Sequence, residues 1–450
     1  MIGGAPLHVA CAKRNLEIAK LLLDKGADVN CIWKKKRRLK TDCLVDFKTL
    51  EEFEVAHDSK YEEGYSPLHF CRSLEMVQLL LDHGADLNKK TSCGYTPLHH
   101  ACRKGHLKAF QFFLDLGANI DSVDKRNHIP LTMACTSGHF EIAKLLVDRG
   151  ARYKEVEDSE WTPLHDACQF GELEMVCLLI DQHANLEARD KNGETPLQLA
   201  CCRGSLEISR LLVDRGAIVE PSNEYNYTAL HYACKMKGEN GLELVRLLLD
   251  GGANMEAISV RGNTPLYIAC AAVVHLKGGD NLELAQLLLE QGADIEAQTI
   301  EGDTPLHIAC IMGRLEMVRF LLDRGADAEA TNSLKSTALH CACTVEIVRL
   351  LLDRGVDMEA KDQNGRTCLF RECDRDDSSI GQLLLDRGAS VSARDPRDES
   401  TLLHEACRND QSELARLLVD RGASLDARDC EGCTPLHRVC ERNPFMFFPS

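Results

Sequence analysis

The chain has 450 residues, a formal net charge of −17, 44% apolar residues and 5% aromatic residues. The acidic excess argues against a nucleic-acid-binding surface over most of the molecule, and no apolar run approaches the roughly 18 residues of a membrane span. The first residues match later motifs rather than a signal peptide, so the 22 cysteines indicate free thiols in a reducing compartment.

The chain begins with "MIGGAPLHVACA", and residues 1–30 are predicted to form a truncated first unit. Residues 31–63 follow as a charged insertion that opens with "KKKRRLK" and then becomes acidic. This insertion is interpreted in three ways: as a nuclear-import signal, as a solvated loop or as a decayed repeat. The import signal would consist of Lys34, Lys35, Lys36, Arg37 and Arg38.

A seven-residue motif, "TPLHIAC" at 304–310, returns along the chain with a dominant spacing of 33 residues, which predicts a repeat architecture. A continuous array is predicted over 64–440, followed by an aromatic tail over 441–450. Thirteen units begin at Ala5, Ser66, Thr96, Ile129, Thr162, Thr195, Thr228, Thr264, Thr304, Thr337, Thr367, Thr401 and Thr434.

One unit shows the expected local structure. Thr304 is predicted to cap a short helix that starts at Pro305, because a proline at the first helical position gives up no hydrogen bond. A break near Gly313 precedes a second helix, which Gly325 ends in a left-handed conformation. The predicted apolar face of that helix comprises Leu315, Val318, Leu321 and Leu322. In the unit at Thr162, His183 occupies the position of the terminal glycine.

The strings "TPLH", "LLLDRGAD" and "DKNGETPLQLA" resemble the ankyrin-repeat family, and the resemblance covers about 90% of the chain. It implies an all-α solenoid of helix-turn-helix units joined by short β-turn fingers, with about 12 full units and a C-terminal half unit. Such units bury their apolar faces only by stacking on one another.

The repeated histidine and cysteine raise the question of metal or nucleophilic chemistry. Each unit offers two ligands, whereas a metal site needs three or four, and neighbouring helices lie about 8–10 Å apart. Gln198 replaces the histidine in one unit, which points to a hydrogen-bonding cap instead. The resemblance implies the same scaffold role, with cysteine as a small buried residue. The histidine occurs as His8, His69, His99, His165, His231, His307, His340, His404 and His437.

Cys430, Cys433 and His437 form the best ligand set outside the repeated pair, but a fourth ligand is not apparent. No phosphate loop or hydrolase motif occurs, and Asp376 and Asp377 are interpreted as solvated surface. We therefore expect no catalytic residues, no metal and no cofactor.

By the resemblance, two positions in each unit line the concave side: the residue before the cap and the residue after the motif histidine. Aromatic side chains concentrate there between residues 65 and 235, and such side chains dominate many interfaces. Alternatively, they only pack on the next finger. The predicted protein-binding residues are Tyr65, Phe70, Tyr95, His100, His128, Met133, Trp161, Asp166, Tyr227 and Tyr232.

The sequence thus predicts a non-enzymatic scaffold or adaptor in the cytoplasm, or in the nucleus if the basic cluster acts as an import signal. The expected partner is another protein, rather than a nucleic acid, a membrane or a small-molecule substrate. The alternative is a recruiting or regulatory ankyrin region of a larger enzyme, ubiquitin ligase or channel.

Overall fold

A computed structural model describes residues 5–33, 64–152, 161–271, 281–373 and 378–442. The basic cluster at 34–38, the rest of the insertion to residue 63, the acidic pair at 376–377 and the tail from residue 443 lie outside these ranges. The predictions made for those segments stay predictions.

The units from Ala5 to Thr401 each contain a short first helix and a second helix, as the 33-residue period predicts, and the unit at Thr434 is described over its first helix. The first helices are Ala5–Ala12, Pro97–Lys104, Pro130–Thr136, Pro163–Phe170, Pro196–Arg203, Ala229–Ala233, Pro265–Ala271, Pro305–Ile311, Ala338–Cys341, Cys368–Glu372, Leu402–Arg408 and Pro435–Arg442, with a 3-10 helix at Pro67–Phe70. The second helices are Leu16–Asp24, Leu74–Asp82, Leu107–Asp115, Phe140–Asp148, Leu173–Asp181, Leu206–Asp214, Gly238–Asp250, Leu282–Glu290, Leu315–Asp323, Val345–Asp353, Ser379–Asp386 and Ser412–Asp420.

The all-α repeat fold is confirmed. Within the described ranges there is no strand, and the only β-like pairing is an isolated bridge between Arg394 and Thr401. None of the described helices is long and apolar enough to cross a membrane.

The unit at Thr304 shows why the local predictions hold. Thr304 has an extended backbone and its hydroxyl accepts the His307 N–H, while Pro305 is the first helical residue. Gly325 ends the second helix at φ 91°. The buried face differs from the prediction: Met317 lies in the core, whereas Leu315 and Leu322 are only half-buried, because the helix packs against a neighbour on either side.

The chain divides into two compact units, residues 1–224 and 225–450. Inside each of them, first helices pack on first helices and second helices on second helices. Backbone hydrogen bonds also join successive fingers, such as Lys125 N–H to the Cys93 carbonyl at 2.9 Å and Ile300 N–H to the Arg261 carbonyl at 3.1 Å.

The first unit stacks on the unit at Ser66 despite the insertion between them. The Asn30 side chain donates to the Gly84 carbonyl and accepts the Asp86 N–H, at 2.9 and 2.8 Å. The Gly64 N–H donates to the Trp33 carbonyl at 2.9 Å. Residues 33 and 64, which flank the segment outside the described ranges, therefore lie side by side.

The expectation that the motif cysteine is a small buried residue is wrong at Cys343, which is exposed, and Cys407 is only half-buried. The unit at Thr337 lacks three residues, and its first helix ends at Cys341, so Cys343 falls in the turn. Ala342 fills the core there, and Cys71 fills the same place in the similarly shortened unit at Ser66.

We expect His183→Gly to raise the free energy of unfolding by about 1 kcal/mol. His183 has φ 61°, a left-handed conformation that costs a residue with a Cβ about 1–2 kcal/mol, part of which the added flexibility of glycine in the unfolded chain offsets. Urea unfolding measures the change. His183→Ala keeps the Cβ and should bring no gain, and an unchanged or lower midpoint for the glycine variant would refute the expectation.

Candidate functional site

The motif histidine closes the start of the first helix in most units that carry it, and the unit at Thr96 shows the geometry. The His99 Nδ1 accepts the Thr96 backbone N–H at 3.2 Å, and the His99 N–H donates to the Thr96 hydroxyl oxygen at 3.4 Å. A backbone N–H can only donate, so the His99 Nδ1 is unprotonated and the ring hydrogen is on Nε2. The capping box predicted from Gln198 is present in its own unit as well: the Gln198 Oε1 accepts the Thr195 N–H at 2.7 Å.

The other ring nitrogen reaches the next unit. The His99 Nε2–H donates to the His128 carbonyl at 3.1 Å, and His128 is the residue before the next cap. Both ring nitrogens are therefore used, and neither is left for a metal ion. The same bond joins His8 to Tyr65, His69 to Tyr95, His165 to Glu194, His231 to Asn263, His307 to Ser336, His340 to Arg366 and His404 to Cys433.

Burial removes the reactivity that the histidine and cysteine suggest. Loss of water lowers the pKa of His69 and His99 to about 4, so both rings are neutral at physiological pH. Burial also raises the pKa of the Cys201 thiol to about 12 and that of Cys168 further still. A neutral thiol is a poor nucleophile and a poor metal ligand, so the pair acts as scaffold.

The ligand set of Cys430, Cys433 and His437 is not assembled. The His437 Nδ1 accepts the Thr434 N–H at 3.2 Å, as in the other caps, and Cys430 is exposed. Across the part of the chain that the structure describes, no three His, Cys, Asp or Glu side chains are grouped so that they could hold a metal ion.

Two rows of side chains remain as candidates for binding. We call the residues before the caps the finger row and the residues after the motif histidines the helix row. Four of the ten predicted binding residues are buried and six are half-buried. The buried ones are Tyr65, His100, Met133 and Asp166. The half-buried ones are Phe70, Tyr95, His128, Trp161, Tyr227 and Tyr232.

The aromatic rings of the finger row lie on the cap histidines. The Tyr95 ring stacks on His99 at 5.8 Å and 18°, and the Trp161 ring lies 5.4 Å from the His165 ring. Tyr227 is 5.1 Å from His231. Each ring therefore has a packing role on its own unit, and the part that remains exposed is held in a fixed place.

The N-terminal end of the rows is a closed aromatic cluster. The Tyr65 ring lies 5.5 Å from both the Phe70 and the His100 rings, and Phe70 lies 5.9 Å from His100. Burial, together with the nearby cationic side chains, holds the pKa of His100 well below its usual range. This cluster joins the units at Ser66 and Thr96, and only Phe70 among the three is partly exposed.

Asp166 has an unusual position for an acidic side chain. It is 4% exposed, and its Oδ1 accepts the Trp161 indole N–H at 2.8 Å. Burial raises the pKa of Asp166 to about 7, while the indole hydrogen bond and the neighbouring His128 pull it down. His128 donates from Nδ1 to the Asp124 carboxylate at 3.2 Å, which raises the His128 pKa.

The arginines of the two rows in residues 225–450 bond to neighbouring units, fingers or turns. Arg366 bonds to Asp395 in the next finger, and Arg438 bonds to Asp429 at 2.6–2.8 Å. Arg371 donates to the His340 carbonyl at 2.9 Å. Sequence reasoning missed the partners of Arg366 and Arg371 because residues about 30 positions apart meet only through stacking.

Comparison with known proteins agrees with this architecture. A family model described as three copies of the ankyrin repeat matches 41–124, 116–190, 179–258, 236–332, 272–362, 326–395 and 369–446, and a model of a single ankyrin repeat matches 3–34.

Several curated proteins match in part. The transient receptor potential channel pyrexia of Drosophila melanogaster is 35% identical over 24% of this chain and 12% of its own length. The ankyrin repeat and SOCS box protein 16 of Homo sapiens is 33% identical over 22% of the chain and 24% of its own. The probable E3 ubiquitin-protein ligase XBOS33 of Oryza sativa subsp. japonica is 54% identical over 9% of this chain and 8% of its own length. The matches span only 8% to 24% of these relatives.

The neutral cap histidines make stability fall in acid. The pKa of His69 and His99 is about 4 in the folded chain against 6.5 for the free group, so below pH 6.5 the unfolded chain binds protons that the folded chain does not. Each contributes stability that is complete above pH 6.5 and is lost between pH 6.5 and 4, about 3 kcal/mol per group.

We expect His99→Gln to lose less stability than wild type between pH 7.5 and pH 4.5 in urea unfolding, because glutamine caps without titrating. His83→Gln, at an exposed position, is the control. An equal loss in wild type and His99→Gln would contradict this explanation.

Proposed function

Because the chain belongs to the ankyrin-repeat family, we propose that it is a non-enzymatic scaffold or adaptor that binds another protein. Binding takes place through the finger row and the helix row, which line the concave face in this family. The proposed contacts are the ten predicted residues, of which the six half-buried ones meet the partner first.

The observation that carries this proposal is the way the aromatic side chains are held. Tyr95, Trp161 and Tyr227 each lie against a cap histidine that is itself bonded on both sides. A ring fixed before binding loses little conformational entropy when a partner covers it. Partly exposed, rigid aromatic residues are the residue type that dominates binding energy at protein interfaces.

A second candidate is a recruiting or regulatory region of a larger enzyme, ubiquitin ligase or channel. The partial matches favour it, since the relatives named as a channel, an E3 ligase and a SOCS box protein share only a small part of their length with this chain. Transcript sequence beyond both ends of the chain discriminates between the two candidates, since only the second needs an effector domain.

We expect alanine at Tyr95, Trp161 and Tyr227 together to weaken partner capture at least a hundredfold, since hot-spot side chains each contribute about 2 kcal/mol or more. Affinity capture with mass spectrometry compares the variant with wild type, and circular dichroism checks that the helices remain. Tyr225→Ala, at a 56% exposed tyrosine outside both rows, is the matched control. Undiminished capture by the triple variant would refute the proposal.

A further inference from the structure

We propose that Trp161 and Asp166 form a binding site for an arginine side chain of the partner protein. The inference deepens the proposed function and rests on it: it assigns a chemical feature to the partner and a position at which that feature is recognised.

The carboxylate of Asp166 is only half satisfied. Oδ1 accepts the Trp161 indole N–H at 2.8 Å, whereas Oδ2 is buried and has no hydrogen-bond partner among the described residues. An unsatisfied buried carboxylate oxygen costs about 1–3 kcal/mol or more. Such a cost at a row of residues proposed to meet a partner indicates that the missing donor comes from that partner.

Another unit of the same chain shows what completes this position. Glu405 is the helix-row residue of the unit at Thr401, and it accepts the Ser400 hydroxyl at 3.1 Å, as Asp166 accepts the Trp161 indole. Unlike Asp166, Glu405 also accepts a hydrogen bond from the Arg408 guanidinium at 2.6 Å, and the Arg366 guanidinium lies 4.0 Å away. At this helix-row position, a guanidinium therefore supplies the remaining hydrogen bond to an acidic side chain that already accepts one from the finger row.

Asp166 lacks both of these arginines. Gln169 stands at the position of Arg408 and carries no charge. His128 stands at the position of Arg366, and its Nδ1–H is directed to Asp124 at 3.2 Å. The chain therefore supplies the guanidinium at Glu405 and leaves it out at Asp166.

The chemistry of the site favours arginine over lysine. A guanidinium forms parallel hydrogen bonds to a carboxylate and stacks on an indole, and both contacts strengthen away from water. Because Asp166 is only 4% exposed, the guanidinium reaches Oδ2 through a small shift at the edge of the Trp161 ring, which keeps its place 5.4 Å from the His165 ring.

The test uses a library of random 12-residue peptides selected on the full chain. Peptides that lose binding in the Tyr95, Trp161 and Tyr227 alanine variant are kept, and each arginine in them is replaced by citrulline, a neutral side chain of the same shape. We expect one arginine whose replacement weakens binding to wild type at least tenfold and changes binding to Asp166→Asn less than twofold. Glu174→Gln, which removes an exposed acid from the second helix of the same unit, outside both rows, is the control and should behave as wild type.

A second variant leaves Asp166 in place. Gln169→Arg supplies the guanidinium that Arg408 supplies at Glu405, so it should compete with the peptide arginine and weaken binding about tenfold. The chain has only two tryptophans, so the indole N–H signal of Trp161 in a 15N-labelled sample can be assigned with Trp33→Phe. That signal should move when an arginine peptide binds, and stay in place with the citrulline peptide.

The possible results separate the two proposals. If the selected peptides depend on the aromatic residues but contain no arginine whose effect requires Asp166, the proposed arginine site is wrong and the proposed function stands. An equal citrulline effect in wild type and Asp166→Asn also overturns the arginine site. If no selected peptide depends on the aromatic residues, both proposals are contradicted.

Discussion

The rest of the structure depends on the hydrogen bond from the motif histidine to the finger of the following unit. One ring nitrogen accepts the N–H at the start of its own helix, and the other donates to a carbonyl in the next finger, as His99 does between Thr96 and His128. A single side chain thereby caps a helix, sets the distance to the next unit and fixes the backbone of a finger-row residue. The surface proposed to meet a partner is consequently held by groups that lie in the core.

Burial decides what the reactive residue types in the motif do. Neutral histidine suits a site that needs one donor and one acceptor, and removal from water keeps the ring neutral. The neighbouring thiols become unreactive for the same reason. Residues that serve as catalysts or ligands in a polar cleft therefore act here as packing and capping groups, and the difference comes from their surroundings.

Acidic groups along the rows follow a related rule. Where a carboxylate lies beside a guanidinium from the same chain, the charge is satisfied within the stack, as between Glu405 and Arg408 of one helix and between Arg366 and Asp395 of successive fingers. Asp166 occupies the same position as Glu405 but has no guanidinium beside it, and its Oδ2 is buried without a hydrogen bond among the described residues. This unsatisfied oxygen costs free energy that a hydrogen bond from another molecule can recover. Residues 225–450 hold most of the satisfied pairs, and residues 64–224 hold the finger-row tryptophan and the half-satisfied acid.

The sequence by itself determined the features that depend on neighbours in the chain. The period, the cap at Thr304, the proline after it and the glycine at 325 are local, and each was predicted with its physical role. Partners about 30 residues apart were decided only by the tertiary structure. These partners include the carbonyl that accepts from the motif-histidine Nε2 and the carboxylate of Asp395 that pairs with Arg366. The packing of one unit on the next also decided the exposure of Cys343 and the burial of Met317 in place of Leu322. Capping and turn formation follow from residues three or four apart, whereas these contacts arise only when one unit packs on the next.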